Sequence, residues 1–129
     1  MFVINVFIAD PMIKERLALR LLCLVLDMNI VGEAEDWSTT LKDTPRTNPN
    51  LLLMDWELLP LLPADAIAGL RQACTLPLII VLISNWSLRQ EAALSVSADI
   101  FISKNEPADR VLETLRLAAN TVEAKILRH

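Results

Sequence analysis

The stretch Leu51–Trp56, which reads LLLMDW, decides the fold of this 129-residue chain. Four consecutive large apolar residues before an acid indicate a strand covered on both faces, because a strand with one face in water alternates apolar and polar residues. Three other apolar runs are of the same kind: Phe2–Ala9, Leu76–Ile83 and Ile100–Ile102. A fifth, weaker run is Ile30–Gly32. These runs predict a parallel sheet with helices on both faces.

Helix-length segments separate the predicted strands. Alternation of strands and helices implies right-handed crossovers around one sheet. A length of 129 residues corresponds to one domain, so we predict a single doubly wound α/β domain over residues 1–129. The predicted helices are Met12–Leu26, Trp37–Asp43, Ala64–Cys74, Leu88–Val96 and Pro107–Leu127.

Composition excludes several classes of function. The 53% hydrophobic content is enough for a core, and the balance of 12 basic and 16 acidic residues gives no basic footprint for direct nucleic-acid or membrane binding. The longest uncharged run, Ala73–Leu88, is too short to cross a bilayer, and the N-terminus lacks a basic leader, so we expect a cytoplasmic protein. Two glycines cannot form a Walker or dinucleotide loop, and the single histidine, His129, provides no catalytic triad.

Polar residues follow four of the predicted strands. They are Asp10, Asp55, Ser84 and Lys104. Ligands of open α/β sheets bind beyond the carboxyl ends of the strands, so these four side chains are expected to meet in one crevice. Singly, each has an ordinary interpretation as a helix cap, a structural hydroxyl or a solvated charge. Together they predict a site with two carboxylates, a hydroxyl and an ammonium.

The residues around these positions resemble the receiver domain of bacterial two-component response regulators. The resemblance rests on FIAD at residues 7–10, LLLMDW at 51–56, Ser84 after LIIVLI, and IFISK at 100–104, and it spans essentially the whole chain. Residues 92–104 are similar to receivers of regulators with a helix-turn-helix output, which implies transcription regulation. The family resemblance implies a flavodoxin-like fold with five helices and a five-stranded sheet of order 2-1-3-4-5.

The same resemblance implies a role for each site residue. Asp55 would accept a phosphoryl group from a sensor histidine kinase or a phosphotransfer protein. Asp10 and Asp55 would hold Mg²⁺, a hard cation that prefers oxygen ligands. Lys104 would oppose the phosphoryl charge, Ser84 would hydrogen-bond it, and Phe101 would move with Ser84 as a switch. Such a domain is a signalling module rather than a dedicated enzyme.

The sequence departs from the family around the metal site. Pro11 stands where a second acid is usual, so we expect weakened Mg²⁺ binding unless the carboxylate of Glu57 compensates. The segment Glu57–Pro63, ELLPLLP, has two prolines and no glycine, which favours a preset loop. The segment after Ser84 is about two residues short, which brings Trp86 near the mouth of the crevice. The alternative is therefore a pseudo-receiver, a protein-interaction module that needs no phosphorylation.

The first and last predicted helices indicate self-association. The last carries a continuous apolar seam that either packs on the sheet or overhangs the domain as a dimer helix: Ala108, Leu112, Leu115, Ala119, Val122 and Ile126. The first helix has more apolar surface than one buried stripe requires. We therefore expect a homodimer through these two helices. Cys23 and Cys74 are expected to be buried free thiols.

Overall fold

The computed structural model describes residues 3–86 and 90–127. Its five strands are all parallel and form one sheet in the order β2-β1-β3-β4-β5, as predicted. The strands are β1 (Asn5–Ala9), β2 (Asn29–Ala34), β3 (Leu51–Asp55), β4 (Ile79–Ser84) and β5 (Ile100–Ser103). Every residue of β3 and β4 is buried, which is the reason for their uninterrupted apolar sequences.

Helices connect the strands and cover both faces of the sheet. They are α1 (Ile13–Val25), α2 (Trp37–Thr47), α3 (Pro63–Ala73), α4 (Gln90–Ser95) and α5 (Ala108–Leu127). A single turn of 3-10 helix, Trp56–Leu58, follows β3. The architecture is the predicted doubly wound α/β class. In the described part of the chain, none of the helices combines the length and apolarity that a membrane crossing requires.

The sheet separates two hydrophobic cores. Alternate strand residues point to opposite faces, so Val6 and Ile8 join the core under α1 and α5, whereas Phe7 and Ala9 join the core under α3 and α4. The two cores fix the register of the strands, and they therefore fix the positions of the residues at the end of each strand.

Several predicted boundaries were wrong by a few residues. Helix α2 continues to Thr47, past the predicted end at Asp43, and it includes Pro45; Asn48 ends it in the left-handed conformation (φ 49°). Strand β4 begins at Ile79 rather than Leu76, because Pro77 has no N–H to give to the sheet. The predicted starts of the first strand at Phe2 and the fourth helix at Leu88 lie outside the described residues.

The apolar seam of α5 packs against its own sheet. Leu115 and Val122 are buried, and Ala119 and Ile126 pack against the same core. The prediction was wrong at the start of the seam, because Ala108 is exposed and Val111 is buried instead. The described helix therefore lies along the domain instead of overhanging it. Cys23 is buried, Cys74 is half-buried, and both thiols are free; burial raises the pKa of Cys23 to about 12, which makes that thiol unreactive at neutral pH.

Candidate functional site

The candidate site lies beyond the carboxyl ends of the three central strands and β5. Ala9 pairs with Met54, so the next residues along β1 and β3, Asp10 and Asp55, lie at the same level. On the other side of the site, Ser84 of β4 pairs with Ser103 of β5. The next residue after Ser103 is Lys104, and its N–H donates to the Ser84 carbonyl at 2.9 Å. The strand register alone thus brings the four predicted residues to one edge.

Lys104 joins the two carboxylates. Its Nζ lies 3.0 Å from Asp10 Oδ2 and 2.5 Å from Asp55 Oδ2. Asp10 is fully buried, and Asp55 is 5% exposed. Buried charges are costly unless paired, so one ammonium shared by two carboxylates is the dominant electrostatic feature of this edge. The site carries a net charge of about −1 before any cation binds, because two carboxylates face one ammonium.

Backbone N–H groups hold the other two carboxylate oxygens. The Met12 N–H donates to Asp10 Oδ1 at 2.8 Å, and the Glu57 N–H donates to Asp55 Oδ1 at 2.7 Å. In both turns the donor is two residues after the acid, which is the geometry of an aspartate folding back on its own loop. Each carboxylate is therefore fixed at both oxygens, and its orientation is set before any ligand arrives.

The environment raises the pKa of two of these groups, Asp10 and Lys104. Burial is the main reason that the pKa of Asp10 is raised from 3.8; the Met12 N–H and Lys104 lower it, and the charge of Asp55 adds to the rise. Burial also acts to lower the pKa of Lys104, but hydrogen bonds and charge from Asp55 and Asp10 outweigh it, so the pKa of Lys104 lies above 10.5. Lys104 is therefore protonated at neutral pH.

The other predicted residues occupy different environments. Ser84 is buried, and its Oγ accepts a hydrogen bond from the Trp86 N–H at 3.1 Å. Phe101 is half-buried in β5, against the core beneath α3 and α4. Glu57 is exposed. Its backbone N–H makes the hydrogen bond to Asp55 described above.

Sequence analysis did not identify two residues, Arg16 and Asn105, whose hydrogen bonds stabilise the backbone around the site. Arg16 donates from Nη1 to the Asp10 carbonyl at 2.7 Å, and its Nε lies 3.5 Å from Glu33 Oε1. Asn105 donates from Nδ2 to the Asn85 carbonyl at 2.8 Å and so joins the loops after β4 and β5. The position of Asn105 directly after Lys104 could have marked it as a site residue. The position of the Arg16 side chain, however, depends on the exact residue at which α1 begins.

The donor set suits a cation that keeps much of its hydration. Mg²⁺ commonly binds through one or two carboxylates, with water and phosphate oxygens completing its shell. Asp10 and Asp55 match that requirement. Within residues 3–86 and 90–127 no cluster of three or more His, Cys, Asp or Glu side chains is placed to hold a metal. The residues therefore fit a sparsely held Mg²⁺ rather than a tightly chelated ion.

Comparison with solved structures gives the class of the fold. The chain is similar to the signal receiver domain of a putative LuxO repressor protein from Vibrio parahaemolyticus (TM-score 0.81, 15% identity, 99% of this chain and 98% of that chain). It is also similar to the signal receiver domain of the putative response regulator NarL from Mycobacterium tuberculosis (TM-score 0.74, 24% identity, 92% and 98% covered).

A third similar structure is of a ligand-bound complex. It is the CheX-CheY-BeF3-Mg²⁺ complex from Borrelia burgdorferi (TM-score 0.72, 17% identity, 87% of this chain and 86% of that chain). No profile of a known protein family matches this chain, and no curated protein sequence matches it. The solved structures establish that the chain has the fold of response-regulator receiver domains.

Proposed function

We propose that this chain is the receiver of a two-component response regulator and that Asp55 accepts its phosphoryl group. The observation that supports this proposal most directly is the sharing of the Lys104 ammonium by Asp10 and Asp55 at the carboxyl edge of the sheet. Core packing does not require two buried acids and a partly buried lysine in one place, whereas phosphoryl transfer requires a nucleophile, a charge-compensating cation and oxygen ligands.

In the proposed reaction, an Asp55 carboxylate oxygen attacks the phosphorus of a phosphohistidine on a partner kinase or phosphotransfer protein. The new O–P bond forms an acyl phosphate as the N–P bond breaks, and the electron pair of that bond stays with the histidine ring, which takes a proton. The Lys104 Nζ compensates charge on the phosphoryl oxygens. The Met12 and Glu57 N–H groups keep the two carboxylates in place.

Asp10 and Asp55 would hold Mg²⁺, which when bound neutralises charge on the phosphoryl oxygens. Pro11 carries no charge, so its place in the sequence supports weaker metal binding than two adjacent acids would give. At an effective dielectric of about 20, a carboxylate 4 Å from a divalent ion contributes about 8 kcal/mol before desolvation is subtracted. Even a small part of that energy changes the affinity by orders of magnitude.

The proposed switch uses the residues at the ends of β4 and β5. The hydroxyl of Ser84 would leave the Trp86 N–H and bind a phosphoryl oxygen, and Phe101 would follow it. Adding about two negative charges at Asp55 changes the surface formed by these elements, and a partner would read the change. One of the similar structures is the signal receiver domain of a protein described as a putative repressor. That likeness, with the resemblance of residues 92–104, supports an output in transcription regulation.

A pseudo-receiver is the second candidate, and one observation favours it. Lys104 already pairs with both acids, and the described residues contain no group of three or more His, Cys, Asp or Glu side chains that could hold a metal. Such a site can be stable without a metal or a phosphoryl group. The domain would then act as a protein-interaction module whose surface does not change at Asp55.

Beryllium fluoride, which mimics a phosphoryl group, separates the two candidates. Trp56 follows Asp55 and is half-buried, so a variant with Trp37→Phe and Trp86→Phe reports on the site through Trp56 alone. We expect its fluorescence to change on addition of beryllium fluoride with millimolar Mg²⁺, and Asp55→Asn to abolish the change. An unchanged spectrum at every Mg²⁺ concentration would instead support the pseudo-receiver.

A further inference from the structure

A cavity lies between α1, α5 and the carboxyl end of the sheet, beside the candidate site. It has a volume of about 130 Å³ and is partly open to solvent. Apolar side chains from four elements form most of its wall: Leu19 and Leu22 of α1, Ile83 of β4, Ile102 of β5 and Val111 of α5. An apolar cavity of about 150 Å³ can hold a benzene ring. This space, which we call the α1–α5 cavity, is therefore close to the size that one small ring requires.

The α1–α5 cavity is widest at one small side chain of α1. Ala18 lines the cavity and is exposed, so it lies at the mouth, and larger leucines stand on either side of it in the sequence. Protein interiors are normally close-packed, and side chains around an empty space lose packing contacts. A ligand that fills the cavity would restore those contacts, whereas Ala18→Leu would fill the same space.

Three polar residues also line the cavity: Glu15, Ser103 and Lys104. Two of them already have partners. The Lys104 Nζ pairs with the two acids of the candidate site, and the Ser103 Oγ accepts a hydrogen bond from the Asn105 N–H at 3.3 Å. The half-buried Glu15 side chain forms no ion pair or hydrogen bond with another residue of the described ranges 3–86 and 90–127. Its carboxylate is therefore the polar group of the wall that a ligand can bind.

The charges around Glu15 favour a cationic ligand. The adjacent candidate site has a net charge of about −1, and Glu15 adds a second negative charge at the cavity. Of the two basic residues next to Glu15 in the chain, Arg16 pairs with Glu33, and Lys14 is exposed. An ammonium group at the mouth would pair with Glu15, and an attached ring would reach the apolar wall. A ring is favoured over a flexible chain of equal size, because a rigid ligand loses less conformational freedom on binding.

We infer that the α1–α5 cavity binds a small aromatic amine, with its ring among the apolar side chains and its ammonium at Glu15. Binding of this kind does not depend on phosphorylation of Asp55. For a molecule of this size the dissociation constant should be roughly millimolar.

Three ring compounds of similar size and different charge test the site: benzylamine, benzyl alcohol and benzoate. Each is titrated into isotope-labelled wild-type protein, and the backbone amide shifts are followed by NMR. Benzylamine should shift the amides of Leu19, Ile102 and Val111, which line the cavity from three elements. It should bind about fivefold more tightly than benzyl alcohol, because an ion pair with Glu15 adds to burial of the ring. Benzoate should bind most weakly, because its carboxylate would face that of Glu15.

Two variants separate the ion pair from the cavity. Glu15→Gln should remove the advantage of benzylamine over benzyl alcohol and leave the binding of benzyl alcohol unchanged. Ala18→Leu should weaken the binding of all three compounds about tenfold, because the added side chain takes the space of the ring. Glu113→Gln and Ala68→Leu are the matched controls, since both residues are exposed, on α5 and α3, and neither lines the cavity.

Three results would overturn the inference. They are cavity amides that do not respond to benzylamine, equal affinity of wild type for the three compounds, and unchanged binding in Ala18→Leu. Circular dichroism of each variant checks that a loss of binding does not come from unfolding, which these exposed or half-buried positions should not cause.

Discussion

At the scale of single residues, Lys104 sets the electrostatics of the site. Its ammonium is the partner of two buried carboxylates, each also fixed by a backbone N–H. Buried ion pairs add little net stability when intact, but removing one partner leaves the other charges unsatisfied. The stability of the site and its proposed chemistry therefore depend on the same side chain.

We predict that Lys104→Met destabilises the domain by about 3–5 kcal/mol near neutral pH, because it leaves Asp10 and Asp55 buried without their cation. Chemical denaturation with far-UV circular dichroism measures the free energy of unfolding. Lys42→Met is the control, since Lys42 is an exposed lysine on α2 and should change stability by less than about 0.5 kcal/mol.

The loss of stability caused by Lys104→Met should become smaller as the pH falls. The pKa of Asp10 in the folded protein lies above its unfolded value, so its ionised form costs stability above the folded pKa and that cost disappears as the pH falls through it. Protonation of Asp10 also removes one of the two charges that Lys104→Met leaves unpaired. The difference between variant and wild type should therefore narrow on acidification; a difference that widens would contradict this electrostatic account.

Some residue positions could be predicted from the sequence and others could not. Asp10, Asp55 and Lys104 were predictable as neighbours because each ends or directly follows a strand, and parallel register brings strand ends together. The hydrogen bond from Trp86 to Ser84 was not predictable, since a hydroxyl takes whichever local donor the following turn presents. The exposed position of Glu57 depends on the 3-10 turn after β3, which no pattern in the sequence predicts.

At the scale of elements, Arg71 of α3 hydrogen-bonds to two other parts of the chain. Its Nη1 donates to the Leu78 carbonyl, and its Nη2 donates to the Ser97 carbonyl at 2.7 Å and to Asp99 Oδ2 at 2.9 Å. Asp99 Oδ2 also accepts from the Ile80 N–H at 2.8 Å. The guanidinium thus fixes α3, the start of β4 and the turn before β5 relative to each other.

We predict that Arg71→Ala lowers the free energy of unfolding by about 2–3 kcal/mol, because a charged, partly buried hydrogen-bond network is lost. Arg71→Lys should recover only part of this, since an ammonium cannot reproduce the planar fork. Arg46→Ala is the matched control: its ion pair with Asp43 is on the surface of α2, with the Arg46 side chain 70% exposed. Equal effects of Arg71→Ala and Arg46→Ala in thermal denaturation would refute the role of the network.

Element type was more predictable than element length. The five apolar runs each became a strand, because an uninterrupted apolar run has few alternatives in a parallel sheet. The end of α2 was not predictable: Thr44 is buried beside Pro45, and the left-handed Asn48 rather than the proline ends the helix. Tertiary burial outweighed the usual effect of proline at that position.

At the scale of the whole molecule, the sheet places two different surfaces on one domain. The carboxyl edge carries the charged crevice, whereas the outer side of α1 carries a row of exposed apolar side chains, Ile13, Leu17, Leu21 and Val25. The first surface followed from strand order and could be predicted. The second was only partly predictable, because α1 and α5 both have apolar stripes in the sequence, and only the structure shows that the stripe of α5 packs in the core.

The central claim is that Asp55 is a phosphoacceptor, and intact mass spectrometry tests it most directly. The protein is incubated with acetyl phosphate, with and without Mg²⁺, beside an Asp55→Asn variant. The account predicts a Mg²⁺-dependent gain of one phosphoryl group in wild type, lost on treatment with hydroxylamine as expected for an acyl phosphate, and no gain in Asp55→Asn. No gain in wild type at any Mg²⁺ concentration, or an equal gain in Asp55→Asn, would contradict it.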